Sequence, residues 1–248
     1  KPDWPGPYNN LVTLLLETGD AAGVIAACDE WLGHHPGSVE AMAYKCVGLN
    51  EADDKEALAQ KALANQVNAA RDRFKEGIEH VKKAEWSRAL DAFEKSAKLR
   101  PHAVTTHNIA ACHRAMGRYA RARTHFRAAL KRNDTAPGEL PESLADESKR
   151  YLKEIKKLLV HVQVTVEPAD ARIAVDGGPL VVTTATSGPV AVAGVRPAGP
   201  GERLPGKKFS LLVDPGAHVF VLSRTGYEDV AVNKSYAPGA RAKLDLKL

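Results

Sequence analysis

Two stretches of this chain share one apolar skeleton. SRALDAFEKSAKLRP (87–101) and ARARTHFRAALKRND (120–134) set Ala89 over Ala122 and Phe93 over Phe126, each with Ala-x3-Phe spacing. The match runs upstream: Lys83-Ala84-Glu85-Trp86 falls over Met116-Gly117-Arg118-Tyr119, and Gly77 over Ala110. Every one of these pairs is 33 residues apart. Residues four apart share a helix face, so each copy reads as an apolar stripe preceded by a turn and another helix. A small residue at 77 and 110 lets two helices approach closely. Such a unit cannot bury its stripe alone and must stack on its neighbours, which makes a solenoid the expected outcome.

The N-terminal block carries a weaker version. Tyr8-x2-Leu11-Val12-x2-Leu15, the turn Gly19-Asp20, Val24-x3-Cys28 and Pro36 keep the same spacing, with Val12 and Cys28 in place of a small and an aromatic residue. On these motifs, residues 70–133 and, more divergently, 1–66 resemble the tetratricopeptide repeat (TPR) family, a helix–turn–helix unit of about 34 residues. Pro36 and Pro101 are 65 residues apart, so the spacing predicts one degenerate repeat between them. Its first helix falls at about 39–50 and a shortened second at about 55–64. Composition changes abruptly near Gln66, which marks a joint or a seam.

LPESLADESKRYLKEIKKLLV (140–160) repeats Leu144, Leu152, Ile155 and Leu159 at helical spacing. Residues 141–159 are thus expected to cap the open apolar end of the stack. From Val160 the period changes to two. VHVQVTV alternates, ARIAVDGG ends in the hairpin signal Asp176-Gly177, and further strands are expected at 207–213, 217–223, 227–234 and 240–248. Residues 183–206, rich in Thr, Ser, Gly, Pro and Ala, read as a long flexible loop with room for one edge strand at Val190–Val195. DPGAHVFVLSRTGYED (214–229) is a turn, a short strand too apolar for one-sided burial, and a second turn.

With Val175-Asp176-Gly177, Asp214-Pro215-Gly216-Ala217 and Gly226-Tyr227, residues 160–248 resemble the PEGA domain, a short bacterial β module. The resemblance implies a small antiparallel β-sandwich. The expected fold class is therefore multidomain, all-α then all-β: a helical-repeat domain at 1–159 with its capping helix, and a β domain at 160–248. The combination resembles bacterial, myxobacterial-like TPR–PEGA proteins, and implies association with the cell envelope.

Nothing in the text reads as catalytic machinery. His107 and His113 are six apart, on different helix faces, and His34-His35 lack a third ligand. GPGERLPG (199–206) has no strand–helix context for cradling phosphate, and Ser187 and Ser210 have no assignable base. Asn133-Asp134-Thr135 and Asn233-Lys234-Ser235 match a glycosylation acceptor, a pattern frequent by chance. Cys28, Cys46 and Cys112, widely spaced in helical text, read as buried apolar residues rather than a disulfide frame. Trp31, Trp86 and Tyr119 read as core. No catalytic residue, cofactor or metal ligand is assigned, and no apolar run reaches the length of a membrane span.

What remains is surface. Residues 1–66 carry 4 Lys/Arg against 10 Asp/Glu, whereas 67–135 carry 16 against 7. In tetratricopeptide arrays the first helix of each repeat lines a concave face. The resemblance places Arg71, Phe74, Lys75, Ile78, Lys82, His107, Asn108 and Arg114 there, with Asn9, Asn10 and Thr13 in the first repeat. A protein or peptide, acidic in character, is the expected partner. The alternative is a solvated surface. Nucleic acid ranks below protein: Arg118, Arg121, Arg123, Arg127, Lys131 and Arg132 cluster without interleaved aromatics, beside an acidic block. The function expected is that of a non-enzymatic interaction scaffold or adaptor, docking through its β module to an envelope component. A periplasmic or envelope location ranks ahead of a cytoplasmic one. Two other classes stay open. One is a regulatory or sensor segment of a larger signalling enzyme. The other is a cell-wall or glycan-binding module, for which Tyr227, Tyr236 and Phe209 are the aromatics on offer.

Overall fold

The structure is a computed structural model and describes residues 6–36, 38–185, 188–203 and 206–248. Ser187 and the side chains of Tyr8, Asn9, Asn10 and Cys46, singled out above, lie outside the described residues. Two units emerge, Lys1–Asn68 and Ala69–Leu248.

In the first unit, α1 (Gly6–Glu17) and α2 (Ala21–His34) are joined by a tight turn. Asp20 caps α2, its Oδ1 accepting from the Gly23 backbone N–H at 2.9 Å. Val12, Val24, Ala27 and Cys28 form the buried cluster between the two helices, so the divergent pair Val12 and Cys28 is its packing contact. Trp31 is fully buried. The degenerate repeat expected next is not there as two helices. A single helix, α3, runs Val39–Lys82, and the division between the units falls within it. The physical reason lies in EADDKEALAQKALANQ (51–66), strong helix formers without a glycine or proline to stop the helix.

The second unit continues with α4 (Trp86–Leu99), α5 (Ala103–Ala115), α6 (Tyr119–Thr135) and α7 (Glu142–Leu158). The repeat seen in the sequence recurs in the turns. Gly19, Ala84 and Gly117 all take positive φ, at 67°, 55° and 74°. In each turn that residue's N–H bonds the carbonyl three back, and the next N–H bonds the carbonyl five back from itself: Leu16 and Leu15, Val81 and His80, Arg114 and His113. This is a helix ending through a left-handed residue, natural for glycine and strained for Ala84. Phe93 and Phe126 are fully buried, as is Ala110. Phe93 packs with Ala89, Leu90, Ile109 and Cys112, bringing α4 onto α5; Phe74, Ile78 and Val81 of α3 complete the cluster. Ser96 Oγ donates to the Ala70 carbonyl at 2.8 Å across the same contact.

Ten strands follow: β1 (Val160–Glu167), β2 (Arg172–Val175), β3 (Gly178–Pro179), β4 (Val181–Ala185), β5 (Gly188–Val192), β6 (Glu202–Arg203), β7 (Lys208–Val213), β8 (Gly216–Ser223), β9 (Val230–Tyr236) and β10 (Arg241–Lys247). They form two sheets, ordered β10-β1-β7-β5-β4 and β3-β2-β8-β9, with β6 on β2. Val162, Val164 and Leu211 from the first sheet meet Ile173, Val175 and Phe220 from the second in one core, which makes the sandwich. Two expectations need correction. The first sheet is mixed, not antiparallel, because β1 lies parallel to β10 and β5 parallel to β7. Residues 183–206 are not one long loop: β4 and β5 pair antiparallel, and β5 lies inside the sheet between β4 and β7 rather than at its edge. Its alternation accounts for this. Ala191 and Ala193 join the sandwich core while Val192 turns the other way, so the strand is buried on both faces.

Val192 and Leu212 meet a helical cluster of Ala110, Ala122, Phe126, Ile155 and Leu159. The α/β transition at Val160 therefore lies inside the second unit, where helices and sheet share buried surface.

Candidate functional site

The residues expected to line a binding face come from two helices of the second unit, and the structure separates them by environment. On α3, Arg71 and Lys75 are exposed, and no ion pair to either is found among the described residues. Phe74 and Ile78, beside them, are half-buried in the core cluster, with the Phe74 ring 5.3 Å from that of Phe93. Lys82 is exposed and bonded to Glu79 at 2.7 Å. These five give an apolar floor with the exposed cations Arg71 and Lys75 at its rim.

The α5 residues are held differently. His107 is buried at 4 % exposure. Its Nδ1 lies 2.9 Å from Ser148 Oγ, its Nε2 3.4 Å from Glu147, and its ring packs edge-on against Phe126. Burial lowers the pKa of this ring, with Glu147 opposing. Arg114 donates from one nitrogen to both oxygens of Glu154, each at 2.8 Å, and its guanidinium lies 4.1 Å from the Tyr151 ring centre. Asn108 is half-buried, with Nδ2 donating to the Val104 carbonyl of its own helix. Ser148, Glu147, Tyr151 and Glu154 all belong to α7, so the capping helix occupies His107 and Arg114. The sequence showed α7 as an apolar stripe with charges behind it. It did not show that two of those acids face α5.

The arginine cluster is likewise divided. Arg121 donates to the carbonyls of Gly194 and Arg196, and Arg132 is paired with Glu139 at 2.6 Å. Arg118 and Arg127 are exposed and Arg123 is half-buried. Of the three aromatics available to a glycan, Phe209 is buried, Tyr236 half-buried against the core, and Tyr227 exposed beneath Arg224 at 4.8 Å.

A junction absent from the sequence reading sits where α6 begins. Arg118 precedes the helix without a side-chain cap. The cap comes from the turn between β7 and β8: Asp214 Oδ1 accepts from the Ala120 backbone N–H at 2.8 Å. A carboxylate suits the positive end of a helix. Burial raises the Asp214 pKa, against the opposing pull of that N–H, His218 and Arg121. The Asp214 carbonyl in turn accepts from His218 Nε2–H at 2.7 Å, and His218 Nδ1 lies 2.6 Å from Asp176 Oδ2. The turn residue Asp214 thus also joins a sheet to a helix, while Asp176 holds the His218 ring and the Val219 N–H of β8. Among the described residues no group of three or more His, Cys, Asp or Glu side chains could hold a metal ion, and no helix is long and apolar enough to cross a membrane.

No family model matches the chain, and no curated protein matches it. Among solved structures, the crystal structure of MamA protein matches over 60 % of this chain and 88 % of that one, at 18 % identity and a TM-score of 0.25. A superposition of that size carries no argument about fold or partners.

Proposed function

We propose that the chain is a non-enzymatic interaction scaffold. Its helices act as a tetratricopeptide-like stack closed by α7, and its sheets as a PEGA-like module of a bacterial envelope-associated protein. The observation that carries the reading is the repeated turn at Gly19, Ala84 and Gly117, with one hydrogen-bond pattern in all three. Repetition at this period builds extended surfaces, which serve for binding other chains. The exposed pair Arg71 and Lys75 over Phe74 and Ile78 is the face we assign to an acidic peptide segment. The apolar floor has to supply part of the affinity, because exposed charge pairs contribute only about 0–1 kcal/mol each.

The test is a screen of fluorescently labelled peptides in solution that combine glutamates with one or two aliphatic side chains, read by fluorescence anisotropy. Replacing both Arg71 and Lys75 by Glu should weaken the best binder by about tenfold, while the helical circular dichroism stays unchanged. Binding should also weaken with salt without vanishing, since the Debye length falls to about 3 Å at 1 M. Equal binding by the double variant would make this face a solvated surface.

A further inference from the structure

The outward side of the first sheet sets three basic side chains, His161, Arg241 and Lys243, around one hollow, and no ion pair to any of them is found among the described residues; farther along, Lys247 pairs with Glu167. Along β1 the valines Val162, Val164 and Val166 enter the core, so His161, Gln163 and Thr165 point the other way. The parallel register sets Arg241 beside His161 and Lys243 beside Gln163. On the other flank of β1, β7 sets Leu212 beside His161 and Ser210 beside Gln163. Leu212 is covered by the helices. Over the uncovered remainder lies a shallow hollow of about 400 Å³, lined by His161, Gln163, Arg241, Ala242 and Lys243.

Arg123 of α6 and Lys156 of α7 act on the His161 ring, whose pKa is lowered by burial first, then by Arg241, Arg123 and Lys156. Arg123 itself lines a different hollow, with Thr124, Arg127 and Val192. It is half-buried, burial and Arg127 lower its pKa, and no carboxylate pairs with it among the described residues. Partly desolvated arginines are normally paired, and this chain does so elsewhere: Arg114 takes Glu154 and Arg132 takes Glu139. The one carboxylate on this stretch of β10, Asp245, stands two residues beyond Lys243, opposite Thr165.

We propose that this face binds a doubly charged oxyanion, a phosphoryl or sulfuryl group, held by His161, Arg241 and Lys243. A single carboxylate is satisfied by one arginine, as the Arg114 pair shows. Three basic side chains from two paired strands, set around one hollow, suit a tetrahedral group with more oxygens and more charge. The hollow offers no aromatic platform besides the imidazole, so recognition goes to the anion and not to a base. His161 adds an N–H donor when neutral and a charge when protonated; its pKa is held below the ordinary histidine value, so the affinity for sulfate, whose charge is constant in this range, should rise as pH falls below about 6.5. This site is separate from the α3 face assigned to a peptide.

The experiment follows the His161 ring in the full chain by 13C-edited NMR, assigned through His161→Gln, while inorganic phosphate is added at constant ionic strength. A saturable shift that raises the His161 pKa is expected, with sulfate behaving alike and acetate binding about tenfold more weakly. Arg241→Gln, on an exposed strand position, should lower phosphate affinity by about tenfold, as should Lys243→Gln; Arg100→Gln, on the exposed end of α4, should not. No response beyond that of chloride, an unchanged affinity in Arg241→Gln, or acetate binding as well as phosphate would overturn the proposal.

Discussion

His113 stands 2 % exposed on α5, its ring stacked on His125 at 5.4 Å between centres, and its Nδ1 has no hydrogen-bond partner. Burial, His125, Arg121 and Arg118, in that order, push its pKa down to about 4. A histidine whose folded pKa lies below its unfolded value stabilises the fold fully above about pH 6.5, and the contribution is lost as pH falls towards 4. Between pH 6.5 and 5 the loss amounts to about 2 kcal/mol. Urea unfolding at the two pH values should show it, and His113→Phe should flatten the difference. His107 and His125, lowered in the same direction by burial, leave a residual slope. A variant as acid-sensitive as the parent would mean that His113 is solvated. In the sequence these histidines were legible only as a set without ligand geometry. Which of them is buried depends on α7 and α6 closing over α5, a contact 40 residues away in the case of Arg114 and Glu154.

At the scale of elements, what the sequence showed best is what depends on local spacing. The repeat at Ala89, Phe93, Ala122 and Phe126, the cap at Glu142–Leu158 and the alternation of β1 are written in neighbouring residues. Gly77 makes the point physically: a Cβ there would stand 2.6 Å from Phe93 Cε1, inside any real contact. Gly77→Ala should therefore overpack the α3–α4 contact, at about 1–3 kcal/mol, although alanine favours helix. Phe93→Ala should cost about 3–5 kcal/mol through the cavity it leaves. Denaturant unfolding reads both, and a loss under about 1 kcal/mol for Phe93→Ala would mean a surface aromatic. What the sequence hid is pairing at long range. Nothing in ARAKLDLKL announces a parallel partner in VHVQVTV, so the face that joins Arg241 to His161 was invisible. The β4–β5 hairpin was masked by Gly, Pro and Thr, and only its burial against β7 makes it a strand pair. The sequence also placed His107 and Arg114 on an open face, because the helical period gives their direction but not the helix that covers them.

At the scale of the molecule, the text placed a boundary at Val160, where helical spacing gives way to alternation, yet the second unit begins at Ala69. Periodicity changes where secondary structure changes, whereas a unit ends where packing ends. The contacts that tie helices to sheets include Asp214 on the α6 terminus, Arg121 on the Gly194 carbonyl, and Leu212 with Val192 under Phe126 and Ile155. Full burial of a Leu or Val side chain contributes about 1.5–3 kcal/mol, so the two apolar residues alone supply a sizeable part of the 5–15 kcal/mol that holds a typical domain. The helices and the sandwich of residues 69–248 should thus unfold together. Trp86 is the only tryptophan in that stretch and lies on α4, remote in sequence from the sheets. Leu212→Ala, a change within β7, should cost about 2–5 kcal/mol and lower the urea midpoint of Trp86 fluorescence, read with Trp4 and Trp31 replaced by Phe. Hydrogen exchange should report equal opening free energies for α6 and β7. If the Trp86 midpoint stays in place while the β7 amides lose protection, the helices and sheets fold independently, and the boundary returns to Val160.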